Sequence, residues 1–258
     1  LAETLRTAVK DANGGGATMA LGGGNKADYT LRTSMIGINN TVTGANRAES
    51  ADNLVMGVGN TASNVQHLTA IGSKNTVSDA KNTVIVGDNR KVTGANNSVI
   101  IGSSDAETTT TVNDAVAIGH NTEVSVEGGV ALGYKSNATV DKGAAGYDIS
   151  TKAASTDTSS TWKATASAVS VGDVANDVTR QITSVAAGTN DTDAVNVAQL
   201  KKVETKISTV EADAKKHTTV VAGDNTTVTS GTNANGGAEY KVAVNKDLVE
   251  MSSANFGK

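Results

Sequence analysis

The sequence contains no cysteine and no proline, and only six of its 258 residues are aromatic: one Trp, four Tyr and one Phe. Without cysteine there is no disulfide scaffold, no thiolate nucleophile and no thiolate metal site. The absence of proline argues against a disordered Pro/Ser-rich tail. A compact domain of this length fills its core with aromatics and leucines. Here the apolar residues are mostly Ala, Val and Ile, which points to a thin, extended, repetitive structure. Apolar runs stop at four or five residues, against the roughly 20 that a membrane-spanning helix needs. The balance of 22 Lys+Arg against 26 Asp+Glu gives a net charge of −4 and no basic run. Neither nucleic acid nor a membrane surface is therefore an expected partner. No signal peptide is legible and the chain begins at Leu1, which suggests an excised fragment.

What the sequence does contain is a repeat. Short apolar stretches end in Gly throughout: Met19–Gly22, Met35–Gly37, Leu54–Gly57, Thr69–Gly72, Val84–Gly87, Val99–Gly102, Val116–Gly119, Val130–Gly133 and Val169–Gly172. The glycines are spaced 15, 20, 15, 15, 15, 17, 14 and 39 residues apart. A second small apolar residue follows many of them by five positions: Val42, Ala62, Val77, Val92, Val124 and Ala138. Fifteen residues is too short for a helical repeat of about 33 and fits one coil of a β-solenoid or β-roll. Stacked at about 4.8 Å, roughly ten coils make a rod on the order of 45 Å long. Strand alternation puts Val116 and Ile118 on one face and Ala117 on the other, and the bulkier pair is expected to fill the coil. The glycines supply tight bends. So narrow a stack buries little by itself, and association of several chains would supply the rest.

Two irregularities interrupt the period. The run Glu107–Thr111 adds two residues and reads as a bulging loop. The spacing of 39 exceeds one coil by about 24 residues and reads as a protruding loop or hairpin, Asp141–Thr165, containing the lone Trp162.

After Gly172 the pattern changes. Thr189–Asp193 offers helix N-caps. From Ala194 to about Lys216 there is no glycine, and Leu200, Val203, Ile207, Val210 and Ala214 follow 3-4-3-4 spacing. That is a short coiled-coil seam with Leu200, Ile207 and Ala214 at a and Val203 and Val210 at d. From Thr218 the pattern is β again, with Val220–Val228 and Glu239–Val244 as strands and Asn233–Gly237 as the turn. The domains are thus a head, 1–174; a connecting segment, 175–196; a helix, 197–217; and a partial β module, 218–258.

The Val116-Ala117-Ile118-Gly119 type of repeat is followed by Arg180-Gln181-Ile182-Thr183, Val185-Ala186-Ala187-Gly188 and Thr192-Asp193-Ala194-Val195-Asn196-Val197-Ala198-Gln199-Leu200. This order resembles a trimeric autotransporter adhesin of the YadA-like type. The resemblance implies a mainly β fold: a left-handed parallel β-roll head, a neck, a short trimeric coiled coil and a β-rich stalk module. It also implies a homotrimer on a Gram-negative cell surface, anchored in the outer membrane through a C-terminal barrel lying outside this sequence. Its partners would be host matrix proteins or host-cell receptors, and its role virulence-related adhesion rather than catalysis.

No cofactor, metal or catalytic residue is expected. Gly57-Val58-Gly59-Asn60-Thr61-Ala62 matches G-x-G-x-x-A but sits inside the repeat with no helix after it. Gly22-Gly23-Gly24 lacks a P-loop ending. His67, His120 and His217 share no metal spacing, and no Ser/His/Asp group stands out. In a trimer, Asn196 and His217 fall at d positions on either side of the Val203–Val210 seam and are candidates for an axial anion site, with plain helix capping as the alternative. Receptor contact would fall on the sides or top of the head, since a thin coil has no room for a ligand cavity of about 300–1,000 Å³. The candidate contacts are Glu107, Thr109 and Trp162, aromatics being favoured interface anchors. A non-adhesive solenoid, ice-binding or a plain spacer, is the alternative function. It is disfavoured because Thr falls at varied phases of the coils.

Overall fold

The structure is a computed structural model that describes residues 18–46, 49–214, 216 and 219–255. His217 lies outside the described residues. The chain divides into two units, one ending at Ser184 and one starting at Val185.

The first unit is a parallel β-solenoid. Nine strands stack in one sheet: Met19–Leu21, Ser34–Ile38, Leu54–Val58, Thr69–Ser73, Val84–Val86, Val99–Ile101, Val116–Ile118, Val130–Leu132 and Val169–Ser170. Eight steps between nine strands come to about 38 Å. The second wall carries six parallel strands, from Lys26–Asp28 to Thr108–Thr110, and continues as the pair Glu123–Val124 and Asn137–Ala138. From Gly22 to Gly119, each glycine of the repeat faces the next, and Gly133 faces the Arg180 guanidinium. At Gly72, with φ +136°, a Cβ would lie 1.9 Å from the carbonyl oxygen of Gly87, so this corner admits no side chain.

The core reverses the phase expected from the sequence. Ala117 is 1% exposed, and Ile118, the bulkier neighbour, is 39% exposed. The other coils follow suit: Met35, Val55, Ala70, Ile85, Ile100 and Ala131 are buried, while Ile71, Val86, Ile101 and Leu132 face outward. The reason is the width of the coil. Each strand of three has one middle residue on one face and two flanking residues on the other, and the interior takes only one side chain per strand from this wall. The second core row is as expected, with Val42, Ala62, Val77, Val92, Val124 and Ala138 all buried.

A ladder of amides ties the coils together at the third residue after each glycine. Asn25, Asn40, Asn60 and Asn75 each accept, at Oδ1, the backbone N–H of the next ladder residue, at 3.0–3.2 Å. Each donates from Nδ2 to the glycine carbonyl of the next coil: Gly37, Gly57, Gly72 and Gly87, at 2.7–2.9 Å. In the fifth step the ladder residue is Arg90, 1% exposed. Its Nε donates to Gly102 O at 2.7 Å. Its guanidinium nitrogens reach one coil further, to Thr122 O at 2.8 Å and Gly119 O at 3.0 Å. Burial pulls its pKa down, with the charge of Glu123 acting the other way. The reach is needed because the following coil has no ladder amide. Asp105, third after Gly102, turns out to solvent and binds Asn121 and His120. The extra residues fall in this corner, before the strand: Thr108–Thr110 is no loop but a strand paired with Arg90–Val92, and Thr110 takes the second core position.

The insertion is hairpin-like, as expected. It leaves the stack at Val140 and returns at Ala168, whose N–H donates to Val140 O at 2.9 Å. Gly143–Gly146 pairs with Trp162–Ala164, and Tyr147–Asp148 pairs antiparallel with Ala153–Ala154.

In the second unit, helix α1 spans Val197–Ala214. An antiparallel hairpin comes after it, Thr226–Thr232 with Ala238–Val244, turned at Asn233, whose Oδ1 accepts from the N–H groups of Asn235 and Gly237. Its first strand starts at Thr226 rather than Val220, because Thr226 closes a turn on Gly223.

Candidate functional site

Four surfaces bear chemistry, and among the described residues none of them contains a catalytic constellation. The first is the outer face of the nine-stranded sheet. Ile71, Val86, Ile101, Ile118 and Leu132 form one exposed apolar row, 37–40% exposed, held in register by strand pairing. The half-buried residues Val84, Val99, Val116 and Val130 form a parallel row two positions earlier. An apolar stripe of this regularity is a surface built to be covered.

The outer face of the second wall is opposite in chemistry. Thr41, Thr61 and Thr76 stand in register, and so do Thr43, Ser63 and Ser78. Threonine and serine thus hold a fixed phase over three coils, contrary to the sequence reading. The phase is legible in the sequence, since Thr41, Thr61 and Thr76 each stand four residues after a repeat glycine and Thr43, Ser63 and Ser78 six after. Lys91 breaks the first row at the fourth coil, and Thr109 resumes it.

The third surface lies where the solenoid ends. Three successive layers each contribute two side chains to a polar crevice of about 400 Å³: Asn121 and Glu123, Lys135 and Asn137, Asp173 and Asn176. Asn121 and Lys135 sit at equivalent corners with positive φ, and Glu123 pairs in register with Asn137. The crevice is on the outside, with Glu123, Lys135 and Asn176 exposed. Beside it, the rings of His120 and Tyr134 stack at 5.8 Å and 3°, and the Lys135 ammonium lies 5.3 Å from the Tyr134 ring. Asp105 sits 3.2 Å from His120 Nε2, and hydrogen bonds from Asn121 and His120 hold its carboxyl below the ordinary range. Below the crevice, Arg180 caps the last coil, donating to Ser136 Oγ at 3.1 Å and to the carbonyls of Val171 and Tyr134.

The residues expected to touch a receptor are not gathered in one place. Glu107 pairs with Lys91 at 3.3 Å. Thr109 is an exposed member of the second wall. Trp162 is exposed at the stem of the insertion, where its ring lies against Gly146. His67 is exposed at a corner with positive φ.

The fourth surface is α1. Leu200, Val203, Ile207 and Val210 are 53–67% exposed along one seam. Its start is locked by a capping box. Asn196 Oδ1 accepts the Gln199 N–H at 3.1 Å, and Gln199 Oε1 accepts the Asn196 N–H at 3.2 Å. The same Gln199 amide holds Gly188 through both its N–H and its carbonyl. Asn196 Nδ2 donates to Val185 O, so both ends of this side chain already have partners. Asp193 accepts from the N–H groups of Thr189 and Asn190 at 2.9 Å, which holds its carboxyl below the usual carboxylate range. Its contribution is therefore present above about pH 4 and lost as pH falls through its lowered pKa. Asp193→Asn is expected to loosen this junction at neutral pH and to match the parent once the parent carboxyl is protonated. Amide exchange of Thr189 and Asn190 across a pH series checks this; equal protection at neutral pH would contradict it.

Among the described residues there is no group of three or more His, Cys, Asp or Glu able to hold a metal, and no helix is long and apolar enough to cross a membrane. Residues 181–246 match the family described as the coiled stalk of trimeric autotransporter adhesin. Autotransporter adhesin BadA of Bartonella henselae is 54% identical over 66 residues, 26% of this chain and 2% of that protein. Trimeric autotransporter adhesin AtaA of Acinetobacter sp. (strain Tol 5) is 49% identical over 71 residues, 27% of this chain and 2% of that protein. The chain thus spans a small fraction of the length of these relatives, and the family match covers most of the connecting segment, α1 and the C-terminal hairpin.

Proposed function

Since residues 181–246 match the coiled stalk of trimeric autotransporter adhesins, we propose that this chain is the head and upper stalk of a homotrimeric, non-enzymatic adhesin. It is displayed at a bacterial cell surface, anchored through an outer-membrane barrel beyond this sequence, and attaches the cell to host matrix or receptor proteins. The observation that carries this reading is the apolar row from Ile71 to Leu132. It is continuous, in register and uncovered within one chain. The seam of α1 is uncovered in the same way, and so narrow a stack gains further burial where copies meet. Copies meeting along these faces would bury both, leaving the hydroxyl wall, the insertion and the crevice outward for a partner.

Sedimentation equilibrium should give about three times the chain mass of 25.9 kDa. A folded monomer at micromolar concentration would overturn the trimer. Receptor contact is assigned first to the insertion, because loops vary without disturbing the stack and Trp162 with Tyr147 offers exposed aromatic anchors. A trimer lacking Asp141–Thr165 should therefore lose adhesion to immobilised matrix proteins. Full adhesion by that variant would move the contact to the coil faces.

The in-register hydroxyls of the second wall favour one further reading, a solenoid that binds ice. Thermal hysteresis measured on the trimer decides it: activity would support that reading, and its absence would leave the adhesin alone.

A further inference from the structure

Deepening the adhesin reading on which it rests, we propose that the crevice at the end of the solenoid is a saccharide site, selective for neutral or amino-bearing sugars over sialylated or sulfated ones. The six lining side chains divide by what they already do. Asn121 is tied to Asp105, and Asn176 is tied to Asp173 at 2.7 Å, so these form fixed walls. Among the described residues, the side chains of Glu123 and Asn137 make no hydrogen bond, and Asn137 Oδ1 is buried without a partner. The Lys135 ammonium lies over the Tyr134 ring and forms no ion pair among the described residues. A carboxylate, an amide and an ammonium therefore converge on one space of about 400 Å³ with their hydrogen-bonding capacity unspent. That mixture of donors and acceptors suits hydroxyl groups, which both give and take hydrogen bonds.

The neighbouring aromatic pair supplies the second half of a sugar site. Tyr134 is 52% exposed, and its ring is held nearly parallel to His120. Such a rigid, flat ring beside a polar crevice can pack against the C–H face of a pyranose. Charge sets the selectivity. Two lining carboxylates, Glu123 and Asp173, against the one ammonium of Lys135 make the lining itself net negative, and Asp105 adds to it from the rim, while the Arg90 and Arg180 guanidiniums behind it are spent on backbone carbonyls. An acidic sugar is repelled and an amine attracted. The lining comes from the second wall and the corner beside it, away from the apolar row, so a trimer joined along that row keeps three crevices open. Each would bind one or two sugar rings weakly, with Kd on the order of millimolar, and three together gain by avidity.

The test uses the trimer and a panel of neutral, amino, sialylated and sulfated glycans, read by array binding and by saturation-transfer NMR. Neutral or amino sugars should bind, and acidic ones should not. Asn137→Ala and Tyr134→Ala should each weaken binding about ten-fold or more. Glu123→Gln should weaken amino sugars more than neutral ones. Unchanged melting of each variant separates lost contacts from lost fold. No saccharide binding at millimolar concentration, with adhesion to matrix protein retained, would overturn the saccharide site and leave the adhesin reading standing. Loss of all adhesion would overturn the adhesin reading instead. Glycan binding untouched by all three substitutions would overturn the location.

Discussion

Replacing Arg90 by alanine is expected to destabilise the head by about 4 kcal/mol or more, the largest effect of any single truncation in the solenoid. The guanidinium bonds the carbonyls of Gly102, Gly119 and Thr122. Removing it leaves the carbonyls of Gly102 and Thr122 without this donor at about 1–3 kcal/mol each, Gly119 O keeping the Thr122 hydroxyl at 3.0 Å, and adds a cavity. Arg90→Lys should recover little, because one ammonium on a flexible stem cannot span two coils as a planar fork does. Arg90→Asn restores the rung to Gly102 and leaves the Thr122 carbonyl unserved, so it should fall between parent and alanine. Urea denaturation of the trimer, with amide exchange at Gly119 and Thr122, reports the order. An alanine variant within about 1 kcal/mol of the parent would show that these carbonyls are hydrated and the ladder dispensable.

Aspartate at two adjacent positions should give two different failures. Ala117→Asp puts an unpaired carboxylate inside the coil, where the residue is 1% exposed. Several kcal/mol are lost and the stack opens around it. Ile118→Asp points outward, so a single chain tolerates it, but the proposed interface does not: three carboxylates would meet a dry apolar row. The expected result is a chain with near-parent circular dichroism and a shifted sedimentation profile, from trimer to monomer. Both variants unfolding alike would restore Ile118 to the core.

The two substitutions bear on what the sequence makes legible. The repeat, the parallel stacking, the position of an insertion near 141–165 and the helix were readable because each has a periodicity or a punctuation of its own. The inward phase was not. Alternation says which residues share a face, but not which face is inside, and the usual rule that bulk goes inward fails where the interior is one side chain wide. Ala70, Ala117 and Ala131 lie in the core while Ile71, Ile118 and Leu132 lie outside, the reverse of that rule. The ladder was readable in principle, since Asn25, Asn40, Asn60 and Asn75 all stand three residues after a glycine. Arg90 at the next such place has the sequence signature of an exposed charge, because its partners are backbone carbonyls with no signature of their own. The crevice was not readable, since its six residues come from three layers and run from Asn121 to Asn176 in the chain.

The glycine rank and the amide ladder also decide how the head answers a pull. Bonds between coils run along the rod, so tension applied at its two ends loads them one coil at a time. A released coil of 15 residues extends to about 50 Å where it had occupied about 4.8 Å. Each rupture thus releases slack and lowers the load on the coils that remain. Arg90, bonded across two coils at once, is a stop in that sequence. Peeling that begins at either end must break three carbonyl bonds together to pass it. Pulled at its ends, such a stack is expected to yield by lengths of about one coil and to arrest near its middle.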